Sequence, residues 1–168
     1  MLTRDSLNLL FEKKYPPYLK GSGFEFQMRE DRMNVYVNKS KAASILTHIT
    51  VSPTPSASST FDVFLKSDKF QGMWRLSELS MEPETASTMG GCEYYFDNED
   101  EFVGVLDHTL AIFDAWVMDW LVGNQYTDFD FMRELKDKYD KRMKLPDLEN
   151  KFREQMFLRY KPLTSPLQ

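Results

Sequence analysis

The chain has 168 residues, of which 42% are hydrophobic and 28% charged, and its formal net charge is −5. This length suits one domain, or one domain with an appendage, and is long enough to bury a core without disulfide staples. The composition excludes a disordered chain, a collagen and a coiled-coil rod.

The first predicted element is a helix at the N-terminus. Thr3 or Asp5 can cap it, and residues 7–14 follow a helical spacing of apolar side chains. Proline lacks a backbone N–H, so the pair Pro16-Pro17 is expected to end or kink this helix. A flexible turn is predicted at residues 21–23, which read Gly-Ser-Gly.

The apolar period then changes from 3.6 to 2, which predicts β-strands. In the first strand the alternation places Phe24, Phe26 and Met28 on a half-buried face, and the first two strands form a hairpin. Residues 53–60 are rich in turn formers and predict a loop or hairpin tip. The strands are expected at residues 24–29, 33–38, 45–51, 61–65, 70–76 (with Gly72 as a bulge) and 92–96.

The strongest helix prediction covers residues 98–122. Asp97 or Asn98 can cap it, and Asn98 with Glu101 three residues later resembles a capping box. Apolar residues follow one broad face from Phe102 to Leu121, and Gly123 supplies the stop. We expect Phe113 and Trp116 to lie in the core, on the side of this helix that faces the sheet.

These elements predict an α+β fold, since the helices lie towards the ends of the chain and the strands lie in its middle. An antiparallel sheet of five to six strands is packed by the N-terminal helix and by a long helix near 98–122, and a C-terminal helical pair follows. The α+β domain is expected at 1–124, a helical extension packed on the same domain at 125–161, and a tail at 162–168.

The inventory of metal ligands and nucleophiles is small. The chain has two histidines, His48 and His108, and one cysteine, Cys92, with no ligand spacing typical of a metal site. Asp128, Asp130 and Glu134 resemble acids at the start of a helix rather than a calcium loop. The sequence contains no glycine-rich phosphate-binding loop and no Gly-x-Ser-x-Gly nucleophile motif. We therefore expect no metal and no cofactor, and we keep a small hydrolase only as a third functional hypothesis.

The cysteine content and the N-terminal sequence indicate a compartment. A single cysteine forms no intrachain disulfide, which favours a reducing environment, and no signal-peptide pattern begins the chain. The apolar stretch 102–122 contains three aspartates and a histidine, which argues against a membrane span. We expect a cytoplasmic protein that does not associate with a membrane.

Charge is strongly segregated along the chain. Residues 76–132 carry 13 Asp and Glu and no Lys or Arg, whereas 1–75 and 133–168 each carry a net charge of +4. One interpretation is an acidic helix face neutralised by the basic end segments of the same chain. The other is an acidic surface that attracts a basic protein partner. Nucleic-acid binding is disfavoured for such a surface, because phosphate contacts need Lys and Arg. The candidate partner-binding residues are Glu93, Asp97, Glu99, Asp100 and Glu101.

The order of the segments adds a resemblance to a known family. A helix ends in residues 18–24 (Tyr-Leu-Lys-Gly-Ser-Gly-Phe), strands follow, and residues 95–100 (Tyr-Phe-Asp-Asn-Glu-Asp) open a long helix that ends in Trp120-Leu121. Over roughly residues 5–122 this resembles a small bacterial α+β family of unknown function, whose members occur among polymorphic-toxin immunity proteins. The resemblance implies no catalytic residues.

The sequence therefore favours two classes of binding function. The first is a non-enzymatic protein-binding module of the immunity type, which occupies a basic partner such as a toxin enzyme. The alternative is a structural or accessory protein of a phage or bacterial assembly that self-associates through an aromatic patch. The sequence leaves the oligomeric state and the identity of any partner open.

Overall fold

A computed structural model describes residues 2–68, 73–77 and 93–123. It shows an antiparallel sheet of six strands with an N-terminal helix before the sheet and helical segments after it, which confirms the α+β prediction. In chain order the elements are α1 (Arg4–Gly21), β1 (Glu25–Glu30), β2 (Met33–Asn38), a 3₁₀ turn (Lys39–Lys41), β3 (Ala43–Thr50), β4 (Ser59–Ser67), β5 (Trp74–Arg75), β6 (Tyr94–Phe96), α2 (Glu99–Ile112), a π-helical segment (Phe113–Val117) and α3 (Met118–Val122).

Strand β4 organises the sheet. Strands β1 to β4 form an antiparallel meander in chain order. Along the other edge of β4, Leu65 pairs with Trp74 of β5 and Ser59 pairs with Phe96 of β6, so two short strands share that edge. This places the start of α2, which follows β6, beside the loop that joins β3 to β4.

The core lies between α1, the sheet and α2. Helix α1 buries one stripe, consisting of Leu7, Phe11, Tyr15 and Leu19. Phe61 of β4 connects the layers, because its ring lies 5.4 Å from that of Tyr15 and 5.9 Å from that of Phe102 on α2, edge-on in both cases. Such edge-to-face aromatic pairs contribute beyond their buried area.

Helix α1 continues through the proline pair, so the prediction that Pro16-Pro17 ends it is wrong. The helix reaches Gly21 with both prolines inside it. The two lost backbone hydrogen bonds are offset by burial on both sides of the pair, since Tyr15 and Leu19 are fully buried. Gly23, with φ of +87°, then reverses the chain into β1.

Strand β1 forms as predicted, but its buried face does not. It is an edge strand whose six residues are all exposed, with Phe26 58% and Met28 46% accessible. A bulge separates these two residues, because Phe26 pairs with Tyr36 and Met28 pairs with Val35. The extra residue puts the two side chains on opposite faces of the sheet, and only Phe24, which precedes the strand, enters the core.

The long helix occupies its predicted span with one irregularity. It runs from Glu99 to Val122, but residues 113–117 are π-helical. Phe113 is fully buried, as predicted. Gly123 ends the helix, where a Cβ atom would collide with the carbonyl oxygen of Asp119.

Several predictions fall outside the described residues and stay predictions. They concern the environment of Cys92, the bulge at Gly72, the side chain of Trp116, the helical extension at 125–161 and the tail at 162–168. The fifth and sixth strands are present at Trp74–Arg75 and Tyr94–Phe96, and residues 70–72 and 92 of their predicted ranges lie outside the described residues.

Candidate functional site

The five predicted partner-binding acids lie at the two ends of β6. Glu93 precedes the strand, and the other four follow it and open α2. Asp97, Glu99 and Asp100 are exposed, while Glu93 and Glu101 are half-buried. The structure therefore brings together the four acids at the helix start and leaves Glu93 at the opposite end of a three-residue strand.

Two side chains cap the first turn of α2. The Oδ1 atom of Asn98 accepts the Glu101 N–H at 2.8 Å, and Oε1 of Glu101 accepts the Asp97 N–H at 2.8 Å. This is the predicted capping box, with the returning bond made to the residue before the N-cap. Glu101 therefore has a local structural role, in addition to its favourable position at the positive end of the helix dipole.

Asp97 joins the helix start to the β3–β4 loop. Its Oδ1 atom accepts a hydrogen bond from Ser58 Oγ at 2.7 Å. Beside it lies a concave surface of about 350 Å³, in which a single carboxylate adjoins several hydroxyl groups. The residues that line it are Leu2, Ser52, Thr54, Pro55, Ala57, Ser59 and Asp97.

Glu99 and Asp100 have no counter-ion within the described part of the chain. The ion pairs there join Lys14 to Asp107 at 2.8 Å and Arg75 to Asp62 at 3.1 Å, and neither pair involves the start of α2. Both carboxylates are exposed, so their charge faces solvent. We refer to Asp97, Glu99 and Asp100 as the acidic surface.

Glu93 belongs to a different environment. It accepts a hydrogen bond from Tyr95 Oη at 2.9 Å, and its negative charge contributes to raising the pKa of Asp62. His48 and Asp62 are cross-strand partners on β3 and β4, next to Ile49 and Phe61 on the core side. Because side chains alternate along a strand, His48 and Asp62 lie on the sheet face away from the core.

Asp62 is a buried acidic residue on that face of the described sheet, and the sequence analysis did not identify it. It is 4% exposed, forms an ion pair with Arg75, and accepts the Val63 N–H at 3.0 Å through Oδ1. Burial is the main cause that raises the pKa of its carboxyl to about 7, against the lowering effect of Arg75. Alternation assigns Asp62 to the outer side of β4, but no spacing in the sequence links it to Arg75 or Glu93.

The second histidine belongs to the core. His108 is 4% exposed, and its ring meets that of Tyr94 edge-on at 5.9 Å. The neighbouring Thr109 is hydrogen-bonded through its hydroxyl to Tyr15, which ties α2 to α1. Within residues 2–68, 73–77 and 93–123, no group of three or more His, Cys, Asp or Glu is arranged to hold a metal ion.

Length and hydropathy also bear on the membrane prediction. In the described part of the chain, no helix combines the length and the apolar character needed to cross a bilayer.

Comparison of the chain with protein-family models, with curated proteins and with solved structures found no match. The functional interpretation therefore rests on the chemistry of the residues described above.

Proposed function

We propose that this protein is a non-enzymatic protein-binding module of the immunity type, which occupies a basic protein partner through the acidic surface. The observation that carries the proposal is the exposure of Glu99 and Asp100 without a counter-ion among the described residues. Charges neutralised by the chain's own Lys and Arg would not be available to a partner, and no Lys or Arg of the described residues pairs with these two.

The surroundings of these carboxylates support the same function. Asn98 and Glu101 already provide the capping hydrogen bonds of α2, so Glu99 and Asp100 are not needed for that purpose. The concave surface beside Asp97 offers hydroxyl groups and small side chains that a protruding partner segment could contact. Complementary charge of this kind mainly raises the association rate and selects the partner.

A charge-reducing variant of the full chain tests this proposal. Glu99→Gln with Asp100→Asn removes two negative charges and leaves both capping residues in place. Basic proteins retained by the wild-type chain from a bacterial lysate are identified by mass spectrometry, and the association rate of a purified candidate is then measured. We expect the variant to associate about tenfold more slowly at low salt, with the difference shrinking as salt screens the charges.

The matched control removes the same charge elsewhere. Glu25→Gln with Glu30→Gln alters two exposed acids of β1 and should leave the association rate nearly unchanged. If both double variants slow association equally, the effect is one of net charge and the acidic surface is not the binding site. Failure of the wild-type chain to retain any basic protein in a salt-sensitive manner also contradicts the proposal.

Self-association is a second candidate function, and one observation favours it. Phe26 and Met28 are large apolar side chains exposed on the edge strand β1. The bulge between them and the charged neighbours Glu25 and Arg29 oppose regular strand pairing. A homo-oligomer that light scattering shows to be insensitive to salt, and that Phe26→Ser dissociates, would favour this function over the first.

A further inference from the structure

A polar cleft lies between α1 and the β1–β2 hairpin. It has a volume of about 140 Å³ and is lined mainly by side chains that carry hydrogen-bond donors. Its lining consists of Arg4, Asn8, Glu12, Arg29, Arg32, Asn34 and Ile49. We refer to it as the arginine cleft.

The fold brings these residues together from three places in the sequence. The cleft residues of α1 are four positions apart and therefore lie on one stripe of the helix: Arg4, Asn8 and Glu12. Arg29 and Asn34 are cross-strand partners on β1 and β2. Arg32 lies in the two-residue turn between those strands.

Two of the arginines are held by backbone features. The Arg4 Nη1 atom donates to the Ile49 carbonyl at 3.3 Å, which fixes the guanidinium at the cleft. Arg32 follows Asp31 in a turn where φ is +48° at Asp31 and +66° at Arg32. Tight hairpin turns of this left-handed kind prefer Asn-Gly, so Arg32 occupies a backbone conformation that suits glycine better than arginine.

Apart from the bond that Arg4 donates to Ile49, the side-chain donors of the cleft are not used by other described residues. Neither Arg29 nor Arg32 forms an ion pair or side-chain hydrogen bond with another residue of the described ranges, and the same holds for the carboxamides of Asn8 and Asn34. The positive field of the cleft reaches a neighbouring strand, because Arg4, Arg32 and Arg29 add to the effect of burial in lowering the pKa of His48. These groups therefore offer several N–H donors to one shared volume.

We propose that the arginine cleft binds a phosphate group, either free or as the terminal group of a phosphomonoester. Three arginines and one glutamate give the lining a formal charge of +2, which complements the charge of about −1.5 to −2 that a phosphate monoester carries at neutral pH. Guanidinium groups bind phosphate oxygens through paired, charge-assisted hydrogen bonds. The small volume suits one such group.

Titration of inorganic phosphate into the full chain at constant ionic strength tests the proposal, with calorimetry or backbone-amide NMR shifts as the readout. We expect saturable binding of one phosphate per chain. Arg29→Gln with Arg32→Gln should weaken it about tenfold or more, since hydrogen bonds to charged groups are each worth that factor. Lys13→Gln with Lys66→Gln, which removes the same charge from exposed sites elsewhere, should change the affinity by less than about twofold because exposed charges are screened at a distance.

A single substitution separates phosphate binding from stability. Arg32→Gly removes the guanidinium and suits the left-handed backbone, so it should raise the urea midpoint of unfolding while it weakens phosphate binding. Unchanged phosphate affinity in Arg32→Gly contradicts the proposal, as does an equal loss in the arginine and lysine double variants.

Three further ligands define which anion the cleft recognises. If glycerol phosphate binds as tightly as free phosphate, the cleft contacts only the phosphate group. If glycerol phosphate binds more tightly, the natural ligand is a phosphomonoester. Acetate binding as tightly as phosphate overturns the proposal. So does a single-stranded oligonucleotide that binds while inorganic phosphate shows no saturable binding, because the cleft is then part of a nucleic-acid surface.

Discussion

Asp62 is a buried carboxyl within the sheet, and its titration is expected to make the stability of the fold depend on pH. It is almost fully buried between β3 and β5, with Arg75 as its ion-pair partner and the Val63 amide as a donor. Its pKa rises from the ordinary value of 3.8 to about 7, chiefly because burial disfavours the charged form and because Glu93 adds a like charge.

The sign of the pH effect follows from this direction. Between about pH 4 and pH 7 the folded state holds the Asp62 proton more tightly than the unfolded state does. The contribution of Asp62 to the free energy of unfolding should therefore fall as pH rises through this range, by at most about 1.4 kcal/mol per pH unit. Asp62→Asn should flatten this slope in urea unfolding curves, whereas Asp68→Asn, at an exposed position, should keep it. Equal slopes in both variants would show that another group is responsible.

Two glycines at contrasting positions should respond oppositely to alanine. Gly23 has φ of +87°, and a Cβ atom there would lie 2.8 Å from Nδ2 of Asn38. Asn38 is buried and held by Ser40 and Lys41, which both donate to its Oδ1 atom. Gly104 is exposed inside α2, and nothing lies within 4 Å of its added Cβ.

Gly23→Ala should therefore lower the free energy of unfolding by about 1–2 kcal/mol, because it combines a left-handed backbone with a steric clash. Gly104→Ala should raise it by about 0.5–1 kcal/mol, since alanine is the better helix former. Chemical denaturation at one pH measures both. Effects of the same sign would mean that the environment of one glycine differs from the one described.

At the scale of elements, the start of α2 separates residues that build the helix from residues that face solvent. Asn98→Ala removes the cap and should cost about 1 kcal/mol. Glu99→Gln with Asp100→Asn should cost less, because the lost attraction to the helix dipole is partly offset by relief of repulsion among neighbouring acids. Thermal unfolding at moderate salt compares the two. A larger loss in the acid variant would assign these carboxylates a structural role and weaken their proposed role in binding.

The elements also show which features local sequence patterns could predict. The alternation of β3 and β4 and the cap at Asn98 were predicted because each depends on residues within one element. The end of α1 was not predicted, because burial of Leu19 outweighs the effect of the prolines. The exposure of β1 was not predicted either, because simple alternation does not indicate a bulge in an edge strand. The acidic surface was predicted in part, since exposed acids follow from the amphipathic pattern of α2. The Asp62–Arg75 pair and the arginine cleft depend on strand order and register, which no local spacing encodes.

At the scale of the whole molecule, the fold places opposite charges on either side of the N-terminus. Leu2 lines the concave surface beside Asp97, whereas Arg4, two residues later, lines the arginine cleft. Among the described residues, an acidic surface and a basic cleft therefore lie near the start of α1. Such a surface orients an approaching charged molecule before contact, and salt weakens that orientation.

The packing of α1 on α2 also affects the nascent chain during synthesis. Lys14 pairs with Asp107, and Tyr15 is hydrogen-bonded to Thr109, so α1 depends on an element that is synthesised later. At about 5–20 residues per second, α1 waits roughly 4–18 s before Thr109 is synthesised. Its stripe of Leu7, Phe11, Tyr15 and Leu19 is incompletely covered during that time. Nascent chains stalled before residue 98 should therefore be cleaved readily by protease and retained by chaperones, whereas full-length chains should resist.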